Sequence, residues 1–150
     1  MKRLPLIALL LLAACHTDRC DTPFGQGGTI DIASADYSIL ATMGGTADVN
    51  RGYKGIIVRC DAIGSYVAFE MACPLDHVRM VPDDRDFAIK LTCPTCQSSF
   101  DIIYGNPLTG SATPCPLYQY NTAFDGRYLS ICDRPMPAHN PYLKGVRSDS

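Results

Sequence analysis

The stretch Cys73-Pro-Leu-Asp-His77, residues 78–92, then Cys93-Pro-Thr-Cys-Gln-Ser-Ser-Phe-Asp101, closing on Pro116-Leu-Tyr-Gln-Tyr120, decides how the rest of the chain is read. Cys73 and His77 form a Cys-x3-His loop. Cys93 and Cys96 form a Cys-x2-Cys loop. Three soft thiolates and one imidazole suit zinc or an iron–sulfur centre. In an oxidising compartment the same Cys-x2-Cys can instead close as a disulfide.

Outward from the loops, the sequence predicts hairpins that carry them. Gly55 to Cys60 is a β-branched run, Asp61 to Gly64 a turn, and Ser65 to Met71 a second strand that delivers Cys73. Val78 to Val81 and Phe87 to Thr92 read as two more strands, separated by the charged turn Pro82 to Asp86, and the second delivers Cys93. Loops at the tips of successive hairpins face each other across a narrow gap, which is what a metal site needs from the backbone.

The flanking segments read as strands and turns as well. Thr29 to Ala33 alternates as a strand, and Ser34 to Met43 as a short helical turn ended by Gly44-Gly45. Thr46 to Tyr53 reads as a polar loop and Ser99 to Tyr104 as a strand. Leu117 to Asn121 and Arg127 to Cys132 form a final hairpin around Phe124-Asp125-Gly126. About eight short strands with little helix make the class all-β, two antiparallel sheets plus a hairpin subdomain.

The central stretch resembles the cluster-binding half of a Rieske [2Fe-2S] domain. Its first box, Cys-x-His-x-Gly-x-x-Leu, is matched by Cys73, with Met80 at the apolar end. Its second box, Cys-Pro-x-His-Gly-x-x-Phe-Asp with following Gly, Gly-Pro-Ala and Pro-Leu-x-x-Tyr, is matched by Cys93, Pro94, Phe100, Asp101, Gly105, Gly110, Ala112, Pro116, Leu117 and Tyr120. The two family histidine positions hold Leu75 and Cys96, and the two glycine positions hold His77 and Gln97. Both family imidazole ligands are missing. The resemblance covers residues 29–132 and implies a base β-sandwich carrying a smaller cluster-binding subdomain.

The N-terminus implies export. Lys2 and Arg3 precede an apolar run from Leu4 to Leu12, too short to span a bilayer as a mature helix and suited to a signal peptide over residues 1–14. Leu12-Ala13-Ala14-Cys15 resembles the lipobox of bacterial lipoproteins, which implies lipidation of Cys15 and stable membrane anchoring. His16, where aspartate is the usual inner-membrane retention signal, points to the outer membrane. Residues 15–28 read as a tether and 133–150 as a Pro-rich tail. Removing 14 of 150 residues leaves 136, enough for one domain, and losing Lys2 and Arg3 takes the net charge from −2 to −4. An acidic balance argues against nucleic acid as a partner.

Cysteine arithmetic follows. Of eight cysteines, Cys15 takes lipid and Cys73, Cys93 and Cys96 belong to the loops. Cys20, Cys60, Cys115 and Cys132 remain as disulfide candidates with three pairings. The strand ends suggest Cys60 with Cys132, and Cys20 with Cys115 would then tie the tether to the proline-rich loop; the alternative is that some stay free and buried as small hydrophobes.

Two functions compete. In the first, Cys73, His77, Cys93 and Cys96 hold a [2Fe-2S] cluster or zinc. The protein is then an electron carrier or accessory redox subunit with an unknown protein partner, rather than a stand-alone enzyme. In the second, the fold has lost its cluster, disulfides replace it, and the protein is a binding or structural lipoprotein. A thioredoxin-like reading is weaker, because Cys96 leads into the strand-like Gln-Ser-Ser-Phe-Asp-Ile-Ile rather than a helix.

Overall fold

Alternating and β-branched runs become strands, and the Gly-, Pro- and Asp-rich stretches between them become turns. The computed structural model describes residues 20–83 and 90–133. Among these are nine strands: β1 (Gly28–Asp31), β2 (Thr46–Val49), β3 (Ile56–Ala62), β4 (Ser65–Glu70), β5 (Val81–Asp83), β6 (Lys90–Thr92), β7 (Ser99–Asp101), β8 (Gln119–Phe124) and β9 (Tyr128–Cys132). A single 3-10 turn, Ser38–Ala41, is the helical content of the described residues. The class is all-β.

Six strands pair in the order β1-β9-β8-β4-β3-β2, and a separate three-stranded sheet runs β5-β6-β7. Every pairing is antiparallel. In the larger sheet β8 belongs to two halves. Gln119 and Tyr120 pair with β4, whereas Asn121 to Phe124 pair with β9. The sheet therefore curls, and its halves enclose one core. Ile30, Leu129 and Ile131 meet Val49, Val58 and Ala68 there, with Leu40 of the 3-10 turn closing one side.

The β3–β4 hairpin is buried on both faces, so Ile56-Ile57-Val58 is a continuous apolar run instead of an alternating one. Ile56 and Val58 enter the first core. Ile57 and Phe69 enter a second, with Met71, Met80, Leu91, Phe100, Ile102 and Leu117. This second core lies between the hairpin and the small sheet, and it fixes the small sheet on the base. The expected division into a base and a smaller unit bearing the loops is what the structure has.

Glu70, at the end of β4, is fully buried. Its carboxylate accepts the N–H groups of Tyr53 at 2.8 Å and Lys54 at 2.7 Å and the Tyr120 hydroxyl at 2.6 Å. Each lone pair so used offsets the cost of burying the charge. Burial, then the Glu70 hydrogen bond, pushes the Tyr120 phenol up from its ordinary value. Tyr120 also accepts the N–H of Gly25 at 3.1 Å, so this cluster joins β8, the 50–55 loop and the N-terminal segment.

Residues 20–27 are docked rather than free. Phe24 stacks on Tyr118 with ring centroids 4.2 Å apart, and Cys20 is disulfide-bonded to Cys115. A Cβ on Gly25 would lie 2.3 Å from the Gly52 carbonyl carbon, so only glycine lets the two backbones approach. The anticipated Cys60–Cys132 pairing is not formed; both are free thiols. Strand ends ignore sheet order: β8 and β4 stand between β9 and β3, and the buried Cys60 thiol instead donates to the Ala62 carbonyl at 3.2 Å.

Three further expectations change. Thr46 to Val49 is not loop but an edge strand, in register with β3 from Thr46–Arg59 to Val49–Ile56. The strand after the first loop begins at Val81 rather than Val78, because residues 78–80 close the loop and bury Met80. The strand from Ser99 stops at Asp101, whose carboxylate accepts the N–H groups of Ile103, Tyr104 and Asn106 and turns the chain. The signal segment, Cys15 and the tail beyond residue 133 lie outside the described residues, as does most of the charged turn after Asp83.

Candidate metal centre

The first loop connects β4 of the larger sheet to β5 of the small sheet, the second connects β6 to β7, and the two have the same backbone path. In the first, Cys73 N–H donates to the Val78 carbonyl at 2.8 Å and His77 N–H to the Cys73 carbonyl at 2.9 Å. In the second, Cys93 N–H donates to the Ser98 carbonyl at 2.8 Å and Gln97 N–H to the Cys93 carbonyl at 3.0 Å. The fifth loop residue is left-handed in both, His77 at φ 58° and Gln97 at φ 63°. That conformation favours glycine, and here histidine and glutamine adopt it.

The matched backbones bring four ligand-bearing side chains together: Cys73, Asp76, Cys93 and Cys96, whose donor atoms all lie within 4.8 Å of one another. Cys73 and Cys93 are buried; Asp76 and Cys96 are half-buried. Cys73 Sγ is 3.7 Å from Cys96 Sγ, and the Cys93 thiol donates to Asp76 Oδ2 at 3.3 Å. The Cys96 thiol donates to Ser98 Oγ at 3.1 Å. Buried Ser98 also accepts the Ala112 N–H, which holds its hydroxyl in place behind Cys96.

Burial pushes the Cys93 thiol up to about 12 and raises that of Cys73 as well. Backbone N–H groups at matching places work against this, those of Asp76 and Leu75 on Cys73 and those of Cys96 and Thr95 on Cys93. Such donors stabilise a thiolate, and a bound cation would complete the compensation that burial demands.

Three of the four residues singled out from sequence, Cys73, Cys93 and Cys96, are together. His77 is not with them: its side chain is exposed, because its backbone at the left-handed fifth position serves to close the loop. Asp76 stands in the cluster instead. A signal for it was present, since aligning the loops on their Cys-Pro dipeptides sets Asp76 against Cys96 and His77 against Gln97. Leu75, at the family's first histidine position, is 49% exposed and offers no ligand atom.

The donor set is chemically suited to a borderline-soft metal. It does not complete the ligand set of a [2Fe-2S] cluster on the pairing that the resemblance implies. That pairing would put Cys73 and Cys93 on one iron and the residues at positions 75 and 96 on the other, and of these only Cys96 has a ligand atom.

No family model matches the sequence, and no curated protein matches it. Among solved structures, the chain is similar to the ferredoxin of carbazole 1,9a-dioxygenase from Nocardioides aromaticivorans IC177, with a TM-score of 0.44 and 18% identity, over 71% of this chain and 99% of that one.

Proposed function

We propose that this protein is an exported, lipid-anchored metal-binding domain whose paired loops hold a thiolate-ligated metal, and that it transfers single electrons when the metal is iron. The observation that carries the reading is the convergence of three thiols and a carboxylate from two loops of one backbone shape. Both loops are braced from behind by the second core, so the donors are held without the metal's help. Half-buried Cys96 and exposed Leu75 leave the centre near the surface, within reach of a redox partner.

Full-length protein purified without oxygen is expected to carry metal, and Cys93→Ser to lose it, because one buried thiolate of the set is gone. Elemental analysis reads this. Metal-free protein in which peptide mapping finds a Cys73–Cys96 disulfide would replace this reading with the cluster-less one. The 3.7 Å between those sulfurs makes that the pairing to look for.

The anchor is supported by the sequence around Cys15. Cys20 is bonded to the body, so the chain between it and Cys15 spans at most about 17 Å and would keep the domain close to the bilayer. Cys15→Ala is expected to abolish incorporation of labelled fatty acid and partitioning into detergent. Label retained on the variant would overturn the assignment.

A further inference from the structure

We infer that the centre holds one ion, not two, in a three-sulfur, one-oxygen tetrahedron with Asp76 as its fourth ligand. The inference rests on the metal-binding reading above and fixes the number of metals and their ligands.

The first argument is spacing. With metal–sulfur bonds of about 2.3 Å, the edge of a tetrahedron around one ion is about 3.8 Å. Cys73 and Cys96 are 3.7 Å apart across the loops, and no pair of donors exceeds 4.8 Å. A single ion satisfies all four from one point with sub-ångström adjustment.

The second argument is the repeat of the loops. Positions one and four of each loop supply the donors: Cys73 and Asp76 from one, Cys93 and Cys96 from the other. Position five is left-handed in both, and its N–H donates to the carbonyl of position one in both. A quasi-twofold pair of this kind brings two donors from each side onto one axis, the arrangement a closed four-coordinate site requires. The carboxylate at position four is the one difference between the two pairs of donors. It carries the same formal charge as a thiolate, and it gives the site one harder, more exchangeable ligand on its half-exposed side. The ion class is a tetrahedral divalent cation such as zinc or ferrous iron.

The test titrates cobalt(II) into full-length, metal-stripped protein under reducing conditions. Its ligand-field bands are intense only in tetrahedral sites, and its sulfur charge-transfer absorbance counts thiolates. The expected result is one cobalt per chain with tetrahedral bands. Asp76→Ala should weaken binding at least tenfold. Asp76→Cys should restore it and raise the charge-transfer absorbance by about a third. His77→Ala should stay within about twofold of the parent, with circular dichroism of the stripped proteins confirming equal folding. Two irons with sulfide per chain, or loss of binding in His77→Ala with retention in Asp76→Ala, would overturn the single-ion site and leave the metal-binding reading intact. No binding by the parent protein would overturn both.

Discussion

Phe100→Ala is expected to lower the free energy of unfolding by about 3–5 kcal/mol, the range for truncating a fully buried aromatic. Phe100 has no exposed surface. It lies in β7 opposite Leu91 of β6 and is bridged on its other side to Pro107. Its ring fills the core shared with Phe69, Met80 and Ile102. Neighbours on a sheet and a hairpin cannot collapse into the space without breaking register, so most of the cavity would persist. The same core braces both metal loops, and apo protein carrying this change should also lose metal affinity. Urea unfolding followed by circular dichroism measures the loss. A value below about 0.5 kcal/mol would mean that Phe100 is not a core residue and that the second core is misassigned.

Cys20→Ser should cost about 2–4 kcal/mol, as does removal of a disulfide that closes a long loop. The Cys20–Cys115 bond spans 95 residues of sequence, from the N-terminal segment to the loop before β8. Without it the unfolded chain gains freedom, and the Phe24–Tyr118 stack must hold the segment alone. The control is Cys132→Ser. Cys132 is half-buried and unpaired, so its replacement should stay within about 0.5 kcal/mol. Equal losses in the two variants would revive a Cys60–Cys132 bond. Urea unfolding of both, each compared with the disulfide-intact parent, distinguishes these outcomes.

Much of the fold was legible because its strands announce themselves. Ile56-Ile57-Val58, the strand-like run from Ser65 to Met71, and the Asp125-Gly126 turn each carry a local signal that tertiary structure did not override. Thr46 to Val49 carried none. An edge strand buries one face, and here that face holds only Ala47 and Val49. The burial of Glu70 was equally silent in sequence, because its partners Tyr53, Lys54 and Tyr120 are brought to it by the fold. At the site, the cysteines were readable from their spacing. The sequence reading took His77 as the fourth donor because an imidazole is a commoner soft-metal ligand than a carboxylate, whereas the side chain gathered with the three thiols is that of Asp76. Position decides here: His77 occupies the left-handed closing residue, and Asp76 the inward one.

X-ray absorption at the metal edge of anaerobically purified protein tests the central claim most directly. A single ion held by Cys73, Asp76, Cys93 and Cys96 predicts one shell of about three sulfurs near 2.3 Å, about one oxygen near 2.0–2.2 Å, and no metal neighbour. A second metal atom in the inner shells, or nitrogen in place of the oxygen with His77 required for it, would contradict the account.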